Sequence, residues 1–382
     1  MPCPYRGLPY REQLARKLAR VRDALSARPS LASVPIDEVV GSRDLFGYRN
    51  NVKLAVRARR GELVAGVYAP GTHRLVDAAR CAAQHPALCD VVVATLAEAT
   101  ALGITAYDER DGSGELRYIV ARWSAWRRRV QLVLVTATTE LSRVRALTRK
   151  LERRVRSLGG VLHNWNAERG NVILGRRWAT LRPPAELVER IGFVDLQLHA
   201  GSFLQSNVWT ARRIYETVLD WAAPLAHEVA ADLFCGAGPV SLYLASRAGR
   251  VVGIEESPNA IRDARANQRR SRLRNLQFVE GRVDDRLPAL VAEERRMDLV
   301  TLNPTRHGAS VTTIEAIVRA GPSRIVYVSC DPETLARDLD RLADGGYVTA
   351  RVRPFDMLPQ TEHVEVVALV VRASVTSARA AP

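Results

Sequence analysis

A glycine-rich turn in the second half of the chain restricts the fold more than any other segment. The sequence Asp232–Pro239 contains Gly236 and Gly238, and it precedes a helical pattern from Val240 to Arg247. Glycine lets the backbone turn sharply and lets a ligand approach closely. The next apolar run ends in the carboxylate of Glu255. A glycine turn with an acid at the end of the following strand is how a Rossmann-like βαβ unit holds an adenosine.

The spacing of this turn distinguishes between two kinds of adenosine ligand. It does not follow the pattern G-x-G-x-x-G, and no basic residue is placed to bind a pyrophosphate. The turn therefore favours S-adenosylmethionine (SAM) over a dinucleotide. From about residue 196 onward, strand and helix patterns alternate, which is typical of a doubly wound sheet.

Cys330 lies between an apolar run and a helix pattern, within the sequence Tyr327–Thr334. Asp331 is a typical N-cap and Pro332 a typical first helical residue, so the thiol is predicted to lie at a helix N-terminus. That position favours negative charge, and we expect it to lower the cysteine pKa and to populate the nucleophilic thiolate. Taken alone, the segment fits a reactive cysteine and a buried, inert cysteine equally well.

Two further strand ends carry polar side chains. The apolar run after Met297 ends in Asn303-Pro304, where methyltransferases place polar groups against a flat base, and Arg306 follows. Glu365 is predicted to begin the apolar strand Val366–Val371, at an open sheet edge where ligands bind. By spacing alone, Glu365 is better explained as a solvated glutamate at a strand end.

The order of these segments resembles the RNA uracil-C5-methyltransferase family, which makes 5-methyluridine in tRNA and 23S rRNA. The matching motifs are, in chain order, Ser202–Asn207, Asp232–Gly238, Asn303-Pro304 with Arg306, Ser329-Cys330 and His363–Glu365. Weaker matches at Gly47–Asn51 and Glu115–Arg122 extend the resemblance over nearly the whole chain.

The resemblance implies a role for each matched residue. It makes Cys330 the nucleophile that adds to carbon-6 of uracil, and Glu365 the base that removes the carbon-5 proton. Arg306 and Arg49 would contact the RNA. Around SAM the resemblance places Gln205, Asp232, Phe234, Gly236, Gly238, Glu255 and Asn303.

The charge of the chain agrees with an RNA partner. The formal net charge is +15, from 56 Lys and Arg against 41 Asp and Glu, as expected of a protein that contacts phosphates. The segment Arg122–Arg129 interleaves two tryptophans with arginines, which suits base stacking beside phosphate binding. A hairpin turn with a solvated basic face explains the same segment equally well. The resemblance is stronger to the 23S rRNA enzymes, so that substrate is preferred and tRNA is the alternative.

The chain divides into three predicted parts. Residues 1–36 form an N-terminal helical segment with Leu14, Leu18, Val21 and Leu25 on one face. Residues 37–195 form a strand-rich, α+β RNA-recognition domain, with hairpins at 52–68 and 118–136 and a basic helix at 141–158. Residues 196–382 form the Rossmann-like methyltransferase domain, which gives an α/β fold class. Residues 374–382 are expected to be a frayed tail.

The five cysteines bear on whether a metal is bound. Many rRNA-acting members of the family carry an iron–sulfur cluster with four cysteine ligands, and the resemblance aligns Cys3 and Cys81 with two of them. The other two have no counterpart in a sequence that begins at Met1, so we expect no cluster and no metal. Because His85 lies between Cys81 and Cys89, a zinc site stays open as an alternative.

Three functions are compatible with the sequence. The first is SAM-dependent methylation of uridine carbon-5 in RNA. The second is an RNA N-methyltransferase that uses Asn303-Pro304 to hold an amine and needs neither Cys330 nor Glu365. The third is an RNA-binding assembly factor without catalysis. Because no 18-residue apolar run or signal peptide is present, we expect a cytoplasmic protein with no membrane contact and no obligate protein partner.

Overall fold

The structure, a computed structural model, describes residues 3–140, 142–294 and 296–373; the expected tail at 374–382 lies outside them. A 3₁₀ turn at Pro29–Leu31 follows the first helix. The helices are α1 (Tyr10–Ser26), α2 (Pro86–Ala101), α3 (Ser142–Arg154), α4 (Val208–Ala222), α5 (Pro239–Ala245), α6 (Pro258–Ser271), α7 (Val283–Glu294), α8 (Val311–Ala320) and α9 (Pro332–Asp344). The strands are β1 (Asn51–Arg59), β2 (Glu62–Tyr68), β3 (Leu75–Asp77), β4 (Leu116–Ser124), β5 (Arg129–Thr136), β6 (Leu158–Trp165), β7 (Arg177–Arg182), β8 (Leu187–Ile191), β9 (Val194–Leu198), β10 (Val229–Leu233), β11 (Arg250–Glu255), β12 (Leu276–Glu280), β13 (Leu299–Leu302), β14 (Arg324–Ser329), β15 (Tyr347–Phe355) and β16 (Glu365–Arg372).

The chain forms two compact units whose boundaries differ from the predicted ones. The first unit comprises Met1–Cys3, Asp44–Arg190 and Leu196–Val208, and the second comprises Pro4–Arg43, Ile191–Asp195 and Trp209–Pro382. From Pro4 onward, the N-terminal segment that we predicted as a separate part up to residue 36 therefore belongs to the second unit. Its helix α1 buries Val21 and Leu25 in the core of that unit, together with residues of α9 and β14.

The first unit is built on a seven-stranded sheet in the order β3-β2-β1-β4-β5-β6-β7. Neighbouring strands are antiparallel except for β5 and β6, which are parallel and joined through α3. The two predicted hairpins are confirmed, with β1 paired to β2 and β4 paired to β5. Helices α2 and α3 pack against this sheet and share one apolar core with it.

Two helices of the first unit depart from the sequence prediction. Helix α2 was not predicted; it begins after His85, whose Nδ1 accepts a hydrogen bond from the N–H of Ala87 at 3.3 Å. The basic helix was predicted to reach Leu158, but α3 ends at Arg154, because Leu158 begins β6 and pairs with Val130. Within the described residues, no helix is long and apolar enough to cross a membrane.

The second unit contains the predicted Rossmann-like sheet, with strand order β12-β11-β10-β13-β14-β16-β15. The first five strands of that order are parallel, and β16 runs antiparallel to both β14 and β15. Strand β10 lies between β11 and β13, so the chain crosses to opposite sides of it. The carboxyl ends of parallel strands meet at this switch point, which is where ligands bind in open α/β sheets.

Candidate active site

Cys330 lies in the turn between the end of β14 at Ser329 and the start of α9 at Pro332. The predicted cap is confirmed, because Asp331 Oδ1 accepts a hydrogen bond from the N–H of Thr334 at 3.1 Å. Ser329 Oγ accepts from the Asp331 N–H at 3.1 Å and donates to the Asp331 carbonyl at 3.0 Å. These bonds fix the position of the thiol at the N-terminus of α9.

The protonation of Cys330 differs from the sequence expectation. Burial raises the pKa of the thiol, and the negative charge of Glu365 raises it further. The positive charge of Arg306 lowers the pKa but does not outweigh burial. The expectation that this position would lower the pKa was therefore wrong in its net direction, because desolvation disfavours the thiolate.

Glu365 reaches Cys330 through the register of two strands. Strand β16 begins at Glu365, as predicted, and its pairing with β14 places Val366 opposite Ser329. The adjoining residues, Glu365 and Cys330, therefore lie side by side at the same end of the sheet. Burial raises the pKa of Glu365 to about 7, and the positive charge of Arg306 opposes the rise.

Arg306 influences both Cys330 and Glu365. Its guanidinium lowers the pKa of Cys330 and opposes the rise in the pKa of Glu365, and its Nη2 donates to Nδ1 of His363 at 3.1 Å. Burial and the charge of Arg306 lower the pKa of His363, so the ring is neutral and can accept this bond. The Arg306 carbonyl accepts from Thr334 Oγ1 at 3.1 Å, which ties this loop to α9. Arg306 itself remains exposed.

The turn after β10 has the backbone that the glycine pattern predicts. Phe234 has φ of +59°, Gly236 +56° and Gly238 +83°, all in the left-handed region. A Cβ on Gly238 would lie 2.6 Å from Cζ of Phe278, so packing requires glycine there. A Cβ on Gly236 would meet no atom within 4 Å. The backbone at Gly236 thus faces open space, as a turn that cradles a ligand requires.

Two carboxylates support this turn. Asp232 is buried at the end of β10 and accepts hydrogen bonds from Ser241 Oγ at 2.6 Å and Thr301 Oγ1 at 2.7 Å. Burial raises the pKa of Asp232 to about 6. Glu255 Oε2 accepts from the N–H of Gly236 at 3.1 Å, and its Oε1 accepts from the N–H of Ser257 at 2.8 Å. Each carboxylate oxygen has a second acceptor site, so Glu255 can also accept bonds from ribose hydroxyls.

The remaining predicted site residues fall in both units. Asn303 lies after β13 with its side chain partly exposed, and its N–H donates to the Leu233 carbonyl at the end of β10, at 3.3 Å. The structure therefore gathers Asp232, Phe234, Gly236, Gly238, Glu255, Asn303, Arg306, Cys330 and Glu365 in the second unit. Gln205 and Arg49 belong to the first unit. There the Arg49 carbonyl accepts from the N–H of His85 at 2.9 Å.

Comparisons with known proteins identify the family of this chain. A family model described as tRNA (uracil-5-)-methyltransferase matches residues 192–373. A relative from Geobacter sulfurreducens, named an RNA methyltransferase, is 38% identical over 370 residues, covering 97% of this chain and 75% of the relative. An RNA methyltransferase from Halalkalibacterium halodurans is 34% identical over 367 residues, covering 96% and 80%. The chain belongs to the RNA uracil-C5-methyltransferase family.

A solved structure supports the fold of this RNA methyltransferase. The tRNA (uracil-54, C5)-methyltransferase of Pyrococcus abyssi, in complex with S-adenosyl-L-homocysteine, is similar with a TM-score of 0.78 and 24% identity. The match covers 97% of this chain and 86% of that one. The predicted Rossmann-like fold is thus confirmed, and the predicted family, that of RNA methyltransferases acting on uracil carbon-5, is confirmed by the family model and the relatives.

A buried polar network in this RNA methyltransferase was not predicted from the sequence. Lys17 of α1 is completely buried and forms an ion pair with Asp356, which also accepts a hydrogen bond from Tyr10 Oη at 2.8 Å. Lys17 Nζ donates to the Leu358 carbonyl at 3.1 Å. Residues 356–364 form the loop that leads to Glu365. The network therefore anchors the base of that loop on α1.

The buried face of α1 consequently differs from the predicted one. The residues that α1 buries are Gln13, Lys17, Val21 and Leu25, whereas Leu14 and Leu18 stay partly exposed. Gln13 and Gln360 exchange hydrogen bonds of 3.2 and 3.0 Å. Spacing of leucines could not reveal this face, because two of its members are polar and become buried only through partners more than 300 positions away.

Replacing Lys17 with methionine is expected to destabilise the protein by about 3 kcal/mol, because it leaves the buried carboxylate of Asp356 without its cation. The measurement is urea denaturation followed by circular dichroism at constant pH. Lys17→Met combined with Asp356→Asn should recover part of the loss, since both buried charges are then gone.

The matched control for Lys17 is Arg16→Met on the exposed side of the same helix. Arg16 pairs with Glu12 at 2.6 Å, with both side chains about half exposed, so its loss should cost less than about 1 kcal/mol. Equal destabilisation by the two substitutions would contradict the assigned role of the buried pair.

The cysteines of this RNA methyltransferase offer no assembled metal site. Cys89 Sγ lies 3.8 Å from the Cys81 carbonyl and 3.7 Å from Gln84 Oε1. Burial raises the pKa of Cys89, and the neighbouring Cys81 raises it further. Within the described ranges, no group of three or more His, Cys, Asp or Glu side chains is arranged to hold a metal ion, and no disulfide is formed.

Proposed function

We propose that this protein methylates carbon-5 of a uridine in RNA through covalent addition of Cys330 to the base. The observation that carries the proposal is the strand register that brings Cys330 and Glu365 side by side, with Arg306 lowering the pKa of both. A nucleophile next to a base is what this reaction needs and what amine methylation does not need.

In the first step, the Cys330 sulfur adds to carbon-6 of uracil. Carbon-5 is a poor nucleophile until this addition turns the ring into an enolate with electron density on carbon-5. Arg306 promotes the step by favouring the thiolate, since its positive charge opposes the effect of burial on the pKa of Cys330. The target nucleotide must leave its stack to reach the thiol, which costs a few kcal/mol in a duplex and less in a loop.

In the second half of the reaction, Glu365 acts as the base. SAM, when bound, supplies a methyl group on a positively charged sulfur, and carbon-5 takes that methyl group. Glu365 then removes the carbon-5 proton, the bond between Cys330 and carbon-6 breaks, and the double bond of the ring returns with the thiolate as leaving group. A pKa of about 7 suits Glu365 to accept a proton near neutral pH and to release it afterwards.

The SAM site is assigned to the turn after β10 and the strand ends beside it. Gly236 and Gly238 shape the turn, Phe234 enters it with left-handed backbone, and Asp232 supports it from below. Glu255 has acceptor sites for the ribose hydroxyls, and we assign Asn303, which follows the neighbouring strand β13, to the same site. We propose that Gln205 contacts SAM as well, on the family resemblance of Ser202–Asn207.

We propose 23S rRNA as the substrate, because the N-terminal segment and Gly47–Asn51 resemble the rRNA enzymes. The alternative is tRNA, favoured by the similarity to the Pyrococcus abyssi tRNA enzyme. In either case the first unit would recognise RNA through its basic surface, with Arg49 among the contacts. Since RNA is its substrate, we also propose that the enzyme is cytoplasmic.

The test is to incubate the protein with methyl-labelled SAM and unmodified 23S rRNA or bulk tRNA, then to digest the RNA and identify nucleosides by mass spectrometry. The expected result is labelled 5-methyluridine from the rRNA alone. Label in 5-methyluridine from tRNA would instead establish the alternative substrate. A label on an exocyclic amine would show that the protein methylates amines and not carbon-5. The absence of label despite SAM binding would favour an RNA-binding protein without catalysis.

A further inference from the structure

The first unit contains a basic groove outside the candidate active site. The groove has a volume of about 560 Å³ and lies between the turn that joins β4 to β5, the start of β6 and the segment Arg182–Val188. All of its lining residues belong to the first unit. Its charge, its hydrogen-bonding capacity and an adjacent aromatic ring each suggest what it binds.

Three arginines line the groove. Arg127 and Arg129 are exposed, and neither forms an ion pair with a carboxylate among the described residues. Arg182 is held in place by Glu152 at 3.1 Å and by the Gly159 carbonyl. The one acidic residue of the lining is Glu186. The groove therefore carries a net positive charge from side chains that are available to a polyanion.

Gln131 supplies an unpaired acceptor in the same groove. It is 2% exposed, and its Nε2 donates to the Ala185 carbonyl at 2.6 Å. Its Oε1 finds no hydrogen-bond donor in the part of the chain that the structure describes. Because a buried polar atom normally has a partner, this acceptor indicates a ligand that brings an N–H or O–H group into the groove.

The hairpin turn beside the groove is held in a fixed shape. The buried carboxylate of Glu189 accepts hydrogen bonds from the N–H groups of Ala125 at 2.8 Å and Trp126 at 3.1 Å. Ser124 Oγ accepts from the Arg127 N–H at 2.9 Å. Trp126 remains 46% exposed, with the guanidinium carbon of Arg190 3.7 Å from its ring centre. A rigid turn that presents an aromatic ring next to arginines is a surface on which a base can stack.

Two residues at the start of the basic segment, Trp123 and Arg122, serve the fold instead of the groove. Trp123 stacks on His85 with ring centres 4.3 Å apart, which occupies one face of its ring. Arg122 is buried and donates to the carbonyls of His199 and Ser202. Position therefore separates the roles within Arg122–Arg129: Arg122 and Trp123 support the fold, and Arg127 and Arg129 line the groove.

We propose that this groove binds an unpaired segment of the RNA substrate. Arg127, Arg129 and Arg182 contact phosphates, Trp126 stacks on a base, and Gln131 Oε1 accepts a hydrogen bond from a base or from a ribose 2′-hydroxyl. Phosphates, flat bases and hydroxyl donors occur together in single-stranded RNA, whereas an acidic peptide offers no base to stack. This inference rests on RNA being the substrate, as proposed above, and adds a docking site for it.

The test measures binding of a fluorescein-labelled, unstructured 20-nucleotide RNA by anisotropy, without SAM, over a range of salt concentrations. Arg127→Ala/Arg129→Ala should weaken binding at least about tenfold. The slope of log K against log salt concentration should become shallower by about 1.4, the value for two lost phosphate contacts on a single strand. The matched control is Arg59→Ala/Arg60→Ala, which removes the same charge from the turn between β1 and β2 and should leave affinity within about threefold.

Gln131→Met tests the acceptor separately from charge. It should weaken binding without changing the salt dependence, since no phosphate contact is lost, and thermal denaturation reports whether the variant is folded. Equal losses in the two double-arginine variants, or full affinity in Arg127→Ala/Arg129→Ala, would overturn the groove as an RNA site. This assay does not depend on methyl transfer. If RNA binds through the groove but no 5-methyluridine forms, the proposed methylation is refuted and the groove still stands as an RNA site.

Discussion

Replacing Cys330 with alanine is expected to lower methyl transfer to uridine by at least about 10⁴-fold, because carbon-5 cannot attack a methyl sulfonium without addition of a nucleophile at carbon-6. RNA and SAM binding should stay within about threefold, since alanine fits the same turn and Asp331 still caps α9. The measurement is transfer of labelled methyl groups to RNA, paired with calorimetric titration of SAM.

A substrate containing 5-fluorouridine makes the same prediction visible as a covalent product. Fluorine at carbon-5 cannot be removed as a proton, so the enzyme should remain attached to the methylated RNA and migrate as one band on a denaturing gel. Cys330→Ala should give no such band. Cys89→Ala, which removes a partly buried thiol in the first unit, should keep it. An adduct that survives the loss of Cys330 would assign the nucleophile elsewhere.

Local features of the sequence were sufficient to predict the parts of the site that depend on neighbours in the chain. The cap at Asp331, the first helical position of Pro332 and the left-handed turn at Gly236 and Gly238 each follow from the conformational preferences of a few adjacent residues. The start of β16 at Glu365 follows from where an apolar run begins. These features are local, so the sequence determines them without knowledge of the tertiary fold.

Properties that depend on tertiary packing could not be read in the same way. The pKa of Cys330 is raised because the folded chain buries the thiol and brings Glu365 beside it, and neither event is visible from the helix cap. The ion pair between Lys17 and Asp356 joins residues at opposite ends of the chain. Polar side chains in such positions weaken the apolar pattern on which sequence prediction relies, so α1 was assigned the wrong buried face.

Replacing Glu365 with glutamine is expected to stop the reaction after methyl transfer. Glutamine cannot accept the carbon-5 proton, so turnover should fall by about 10²- to 10⁴-fold, while addition of Cys330 to carbon-6 continues. With ordinary uridine RNA and SAM, the variant should therefore accumulate a covalent protein–RNA adduct that the parent enzyme releases. The measurement is a denaturing gel together with the rate of labelled 5-methyluridine release.

The control for this variant is Glu362→Gln, an exposed glutamate in the same loop. It should turn over normally and show no adduct, because its side chain lies outside the pair formed by Cys330 and Glu365. Normal turnover by Glu365→Gln without accumulation of adduct would assign proton removal to another group, such as His363, whose neutral ring lies against Arg306.

The raised pKa of Glu365 also links catalysis to stability. Turnover by the parent should rise with pH through about 7 as the carboxylate forms. In the unfolded chain the pKa of this carboxyl is the ordinary 4.5. Between pH 4.5 and about 7 the folded protein therefore keeps a proton that the unfolded chain has released, so its stability falls as the pH rises to about 7. At pH 8 the free energy of unfolding of Glu365→Gln, measured by urea denaturation, should therefore exceed that of the parent by about 1 to 3 kcal/mol. Near pH 4.5 the two free energies should be equal. A variant that gains stability where it loses turnover is the result expected of a carboxylate buried for catalysis at a cost to the fold.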